Sequence, residues 1–262
     1  MSNSIHPTAI VSPQAELGEG NTIGPFVHIH DNVRIGNNNR FMTGSVLKQG
    51  VTLADHNTIH EYAVLGGEPQ DLGFNGHVSF VEIGSGNVFR ESVTVHRSKS
   101  VDETTRVGNE NFLMANVHIG HDCQLANNVV IAPSSGLGGF VTVDDKAFIS
   151  GGVMVHQFVN IGRLAMVGGN SKITQDVLPF MTTDGNPAQV HGLNVVGLRR
   201  AGFNKAALSE LKQAYRILFS SNERLDNKLE ELRQLPGDAV AYLVDFIATA
   251  KRGFHRGKSE TD

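Results

Sequence analysis

An apolar residue recurs every six positions along most of this chain. The series Ile5, Val11, Leu17, Ile23, Ile29, Ile35, Phe41, Leu47, Leu53, Ile59 and Leu65 runs unbroken, fails at Asp71 and His77, and resumes in the same phase at Ile83. It then continues through Phe89, Val95, Val101, Val107, Leu113, Ile119, Leu125, Ile131, Leu137, Val143, Ile149, Val155, Ile161 and Val167 to Ile173. A period of six fits neither the 3.6 of a helix nor the alternation of a two-faced strand. It fits the hexapeptide class of parallel β-helix, in which each short strand turns one apolar side chain toward the axis. Three hexads close a triangular coil, so residues 5–173 predict roughly nine coils.

The corners of such a prism need backbone freedom. Gly after the ladder residue at 18, 24, 36, 66, 84, 108, 120, 162 and 168, and Asn at 37, 38, 39, 57, 87, 109, 127 and 128, are assigned that task. The stretch 68–81 must loop out, because Asp71 and His77 on the stacked axis would cost several kcal/mol each, about 2–7 for an unpaired polar group. A second excursion is expected at 97–106, where Lys99, Asp102, Glu103 and Arg106 crowd together and Val101 keeps phase by accident. The β-helical domain is placed at 1–185 and a helical domain at 186–262, with three helices marked by Leu208, Leu211, Tyr215 and Leu218, by Leu225, Leu229, Leu232 and Leu235, and by Val240, Leu243 and Ile247. Residues after Arg252 read as frayed.

Composition narrows the class. Net charge is −4, no apolar run is long enough to span a membrane, and no basic-then-apolar leader opens the chain, so a cytoplasmic protein is expected. The single cysteine, Cys123, excludes an intrachain disulfide and a thiolate zinc cluster and reads as a small packing residue. Acids balance bases and there is no aromatic-basic platform, which argues against nucleic acid. Arg199, Arg200, Lys205, Lys212 and Arg216 form a basic cluster near the first tail helix, suited either to solvent or to an acidic partner.

Candidate chemistry concentrates in His118-Ile119-Gly120-His121-Asp122-Cys123. His121 falls at a corner beside a carboxylate able to set its tautomer, which is what abstraction of a hydroxyl proton requires. His96-Arg97 and His156-Gln157-Phe158 lie within a few coils of it, on a repeat of about 18 residues per coil.

These motifs, with Gln70-Asp71-Leu72, Ala115-Asn116-Val117, Met166-Val167-Gly168-Gly169, Gly185-Asn186-Pro187-Ala188 and Gly197-Leu198-Arg199-Arg200, occur in an order and spacing that resembles the acyl-ACP:UDP-N-acetylglucosamine O-acyltransferases of lipid A biosynthesis. The resemblance spans nearly the whole chain. It implies a left-handed β-helix, a homotrimer with its site between subunits, no cofactor or metal, and transfer of a 3-hydroxyacyl chain from acyl carrier protein to the 3-hydroxyl of a UDP-amino sugar. By the same resemblance His121 is the general base, Asp122 orients it, and the Gly139 N–H stabilises the oxyanion, a role expected to be insensitive to side-chain changes there. His118, Gln157, Asn194 and Arg200 match positions holding the nucleotide sugar, Gln70 and Asp71 match first-loop substrate contacts, His96 and His156 line the cleft, and Gly169 sets acyl length.

Five positions depart from the family pattern, and four of them, Gly73, Phe140, Val196 and Ala201, remove a charged or polar group expected to touch or lie close to the nucleotide sugar. Gly73 replaces a lysine, Phe140 a histidine, Val196 an acid, Ala201 an arginine and Ser98 a glycine. A paralogue using another nucleotide-linked amino sugar is therefore an alternative, as are a CoA-dependent hexapeptide acetyltransferase, a zinc enzyme of the γ-carbonic-anhydrase type and a non-enzymatic scaffold.

Overall fold

The computed structural model describes residues 2–219 and 223–257. Short parallel strands, most of two residues, stack into three sheets of 11, 9 and 8 strands that form the faces of a left-handed triangular prism. Along the prism strands pair with those a coil earlier: Thr22 with Ser4, Arg40 with Thr22, and Val130 with Phe112. That step of 18 residues lengthens to 30 between Thr58 and Val88 and to 24 between Val88 and Phe112. The two excursions thus insert whole numbers of hexads, which is why the ladder resumes in phase.

The first excursion occupies the gap between strands Val64–Gly67 and Phe80–Ile83, and the second the gap between Thr94–His96 and Thr104–Val107. Val101 is exposed, so its place in the six-residue series is coincidental. Elsewhere the ladder from Ile23 to Ile173 fills the axis. A second buried column of small residues runs two positions ahead of it, through Val27, Val93, Val117, Cys123, Val141 and Ala165. Cys123 belongs to this column, and burial pushes its thiol up to about 12.

The sequence expectation for the corners holds at Gly66, Asn38 and Asn128, which take positive φ, but not at most of the other glycines and asparagines assigned to them. The left-handed residue falls three places after the ladder position, at Phe26, Asn38, Tyr62, Asp122, Asn128, Phe140 and Phe158 among others. Glycine directly after the ladder residue instead permits close stacking: a Cβ on Gly120 would lie 2.7 Å from the Leu137 carbonyl oxygen of the next coil. Asn39, Asn57, Asn87 and Asn111 form a buried amide column, each side-chain oxygen accepting a backbone N–H one coil on, with 2.8 Å from Asn57 N to Asn39 Oδ1 and 2.9 Å from Asn87 N to Asn57 Oδ1. They satisfy buried backbone donors rather than supplying backbone freedom.

The prism ends in an antiparallel hairpin, Met181–Gly185 with Ala188–Leu193, turned by Asn186-Pro187. Among the described residues four helices follow rather than three: α1 (Val195–Arg200), α2 (Lys205–Phe219), α3 (Leu225–Arg233) and α4 (Asp238–Thr249). Their buried Leu211, Leu232, Val240 and Leu243 share a core with Leu178, Phe180 and Val190 of the last coil and hairpin. Residues 253–257 return to the prism instead of fraying: Phe254 bridges to Asp176, and the buried His255 ring contacts the Ala188 carbonyl through Nδ1 at 3.0 Å. The rest of the expected frayed end, 258–262, lies outside the described residues. Among the described residues no helix is long and apolar enough to cross a membrane.

Candidate active site

His121 stands at the corner between strands His118–Ile119 and Gln124–Leu125. The following slot of every coil requires a left-handed residue, and Asp122 fills it with φ 62°, a conformation that a short polar side chain tolerates. The turn therefore brings the carboxylate against the imidazole of its own neighbour, Nδ1 to Oδ2 at 2.7 Å. Both residues are buried. Asp122 is held in turn by the second excursion, since Oδ1 accepts the Ser98 hydroxyl and Oδ2 accepts the Lys99 N–H at 3.0 Å. The Asp122 N–H donates to Thr105 Oγ1 at 2.7 Å. An imidazole so fixed at Nδ1 presents Nε2 as the reactive nitrogen.

One coil on, Gly139 takes the corner position equivalent to His121. At that position elsewhere the chain uses Pro7, Pro13, Pro25 and Pro133, which have no backbone N–H, so the stack does not require a donor there. Among the described residues no acceptor engages the Gly139 N–H. The donor is therefore available beside the base. A Cβ at 139 would lie 2.3 Å from His121 Cε1 and 2.6 Å from Nε2. Position 139 is accordingly sensitive to any side chain, which corrects the expectation drawn from its backbone role alone.

Phe140 meets the His121 ring edge-on at 5.4 Å and stacks on Phe158 of the next corner at 4.7 Å. Beyond Nε2, Asp71 Oδ2 stands 3.9 Å away, ion-paired with Lys99 Nζ at 2.9 Å, while Asp71 Oδ1 accepts the Gly73 N–H at 2.8 Å. The Lys99 ammonium, followed by that N–H, holds the Asp71 carboxyl below its ordinary range. Along the face, His118 contacts Thr94 Oγ1 through Nδ1 at 2.8 Å, and its ring lies 4.9 Å from that of His96. Burial, then the neighbouring His118, pushes His96 down to about 4; burial, then His121, also lowers His118. Both rings favour the neutral form.

The structure thus gathers His121, Asp122, Gly139, Asp71, His118 and His96. His156 and Gln157 are exposed two coils on, and Gln70 is exposed in the first excursion. Gly169 lies at a corner on a different edge of the prism. Asn194 caps α1, with its Oδ1 accepting the Gly197 N–H at 3.0 Å and its Nδ2 donating to the Leu164 carbonyl at 3.0 Å, and Arg200 is exposed in the last turn of that helix. Sequence reasoning gave no site role to Ser98, Lys99 or Thr105. The crowding of charge at 97–106 was their only visible signal.

The three histidines at 96, 118 and 121 do not converge as metal ligands. Among the described residues the one group with close donor atoms is His60, Glu61 and Glu91, and there Glu91 already accepts two hydrogen bonds from Arg90, at 2.8 and 3.1 Å.

Comparison with known proteins bears on this geometry. A family model described as UDP-N-acetylglucosamine O-acyltransferase, domain 2, matches residues 176–255, and one described as bacterial transferase hexapeptide (six repeats) matches 104–139. The chain is 44% identical over 255 residues to the acyl-[acyl-carrier-protein]–UDP-N-acetylglucosamine O-acyltransferase of Alkalilimnicola ehrlichii, covering 96% of this chain and 99% of that protein. It is 44% identical to the like-named protein of Thermodesulfovibrio yellowstonii, covering 97% and 100%. The solved UDP-N-acetylglucosamine acyltransferase of Bacteroides fragilis matches at 36% identity with a TM-score of 0.94, covering 96% of this chain and 100% of that one, and that of Francisella novicida at 31% and 0.94, covering 97% and 95%.

Proposed function

The chain belongs to the acyl-ACP–UDP-N-acetylglucosamine O-acyltransferase family, and from that membership we propose that it moves a 3-hydroxyacyl chain from acyl carrier protein to the 3-hydroxyl of UDP-N-acetylglucosamine, the opening step of lipid A assembly, in the cytoplasm. The observation that carries the reading is the pairing of a carboxylate-held imidazole with an unengaged N–H one coil away, at Gly139.

His121 Nε2 takes the proton of the sugar hydroxyl as its oxygen attacks the thioester carbonyl carbon. Asp122 stabilises the imidazolium that forms. The carbonyl oxygen becomes an oxyanion and accepts a hydrogen bond from Gly139 N–H, a preorganised donor that needs no rearrangement. Collapse expels the carrier thiolate, which takes the proton back from the imidazolium. His118 and Gln157 are assigned to the nucleotide sugar, Gln70 and Asp71 to first-loop contacts, and His96 and His156 to the cleft wall.

Gly169, Asn194 and Arg200 lie on another edge and on the helical unit, so one chain does not bring them to His121. A homotrimer in which a neighbour supplies such groups accounts for this separation, with Gly169 limiting the acyl chain. The test is His121→Ala. Loss of a general base lowers rate by about 10²- to 10⁴-fold, with the melting temperature and UDP-sugar binding retained. Near-native turnover of the folded variant refutes the mechanism.

A further inference from the structure

The second excursion reaches both carboxylates that flank His121. On the Nδ1 side, the Ser98 hydroxyl and the Lys99 N–H hold Asp122. On the Nε2 side, the Lys99 ammonium holds Asp71 at 2.9 Å. The Lys99 carbonyl contacts His77 Nε2 at 2.8 Å, the Ser98 carbonyl accepts the Ser79 hydroxyl at 2.5 Å, and the Asp102 N–H donates to the Val78 carbonyl at 3.0 Å. Backbone contacts on both sides of residue 99 therefore set where its ammonium can reach.

The position of Asp71 matters because Oδ2 is 3.9 Å from His121 Nε2. That is too far for a hydrogen bond and close enough that a small rotation would make one. A carboxylate bonded to Nε2 would accept a proton held there, and so keep the nitrogen protonated and without the lone pair that an incoming hydroxyl needs. The Lys99 ammonium holds that same oxygen at 2.9 Å and so competes with Nε2 for it.

We propose that Lys99 is a positioning residue for the acyl transfer, acting through Asp71: it holds that carboxylate within reach of the sugar acceptor while keeping it off the reactive nitrogen of His121. This rests on the reading of His121 as the base. It assigns a function to the charged cluster at 97–106, which neither the hexapeptide core nor the base requires. It also explains how Asp71 is anchored in a chain with glycine at 73, where among the described residues the carboxylate's one other hydrogen bond comes from the Gly73 N–H.

The experiment is a double-mutant cycle on the full-length enzyme, measuring kcat and KM for UDP-N-acetylglucosamine at saturating 3-hydroxyacyl-ACP. Lys99→Met is expected to raise KM about fivefold, the scale of one partly exposed ion pair, with a smaller effect on kcat. Lys99→Arg is expected to restore the wild-type value. In an Asp71→Asn background, Lys99→Met is expected to add nothing, because the residue on which it acts is already neutral. Losses that multiply independently of Asp71, or an unchanged KM in folded Lys99→Met, overturn the proposal. Lys99→Gln replaces the methionine variant if that one does not fold. Hydrogen exchange at the Gly73 and Phe74 amides reads the same tether without turnover: faster exchange in Lys99→Met supports it, and unchanged exchange overturns it. Wild-type protein that fails to acylate the UDP-sugar, yet shows the exchange effect, refutes the assigned function and leaves the tether standing.

Discussion

Alanine at position 139 probes the distance between base and oxyanion donor. The Gly139 backbone lies outside the left-handed region, so an alanine meets no intrinsic strain there. Its Cβ would nevertheless sit 2.3 Å from His121 Cε1, 2.6 Å from Nε2 and 2.9 Å from Nδ1. Ordinary contact begins near 3.4 Å, so the ring must retreat by about 1.1 Å. The retreat is opposed by the 2.7 Å bond to Asp122 and by the Phe140 edge. Misplacing a reacting group by about 1 Å costs about 10²-fold in rate. Weakening a charged hydrogen bond worth about 1.5–3 kcal/mol adds one to two further powers of ten. The expected loss in kcat is about 10³- to 10⁴-fold, against an overpacking cost of about 1–3 kcal/mol in stability. Transfer kinetics with 3-hydroxyacyl-ACP, thermal melting and calorimetric binding of the UDP-sugar separate these effects. A folded Gly139→Ala enzyme within about threefold of wild-type turnover would show that the reaction does not pass between His121 and this amide.

Gly169→Met is expected to shift preference toward shorter acyl-ACPs. A Cβ there meets only Gly151 O at 3.5 Å and Ser150 Cβ at 3.9 Å, which is ordinary contact, and an unchanged chain-length profile would place the end of the acyl tunnel elsewhere. His96, depressed to about 4 when folded, takes up its proton near 6.5 when unfolded. The unfolded chain thus binds the extra proton between those values, and stability is expected to fall by up to about 3 kcal/mol as pH drops from about 6.5 to about 4. His96→Gln should flatten that decline in denaturant titrations, whereas an unchanged slope would contradict a buried neutral ring. Phe140→His with Val196→Glu is expected to strengthen UDP-N-acetylglucosamine binding in calorimetry, since each charge-assisted hydrogen bond contributes about 1.5–3 kcal/mol; tight wild-type binding with no gain would show that these positions are neutral.

The ladder was legible because burial on the axis imposes one apolar residue per hexad regardless of other contacts. The excursions were legible for the converse reason, as Asp71 and His77 could not occupy that axis. Val101 stays in phase although exposed, as expected, since insertions of whole hexads leave the count unchanged. The glycines were visible but their physical reason was not: spacing along the chain cannot distinguish left-handed φ from close approach of the next coil, and Gly120 is the second case. Helix α1 was missed because Val195, Val196 and Gly197 are poor helix formers; it is held by the Asn194 cap and by burial of Leu198. At the site, His121 and Asp122 could be paired from sequence because they share one turn. Ser98 and Lys99 reach the carboxylates of Asp122 and Asp71 from 24 and 28 residues away, and Thr105 accepts the Asp122 N–H from 17 residues away, outside the hexad rhythm, and only the stacked register brings them there.

The account turns on which hydroxyl is acylated and from which donor. Purified protein should be incubated with 3-hydroxyacyl-ACP or the matching acyl-CoA and a panel of UDP-sugars that includes a 3-deoxy analogue of UDP-N-acetylglucosamine, with product mass followed over time. The expected result is a single 3-hydroxyacyl addition to UDP-N-acetylglucosamine, dependent on acyl-ACP, absent with the 3-deoxy sugar and lost in His121→Ala. Acylation of the 3-deoxy sugar, preference for the CoA donor, or a product formed only with a different UDP-sugar would contradict it.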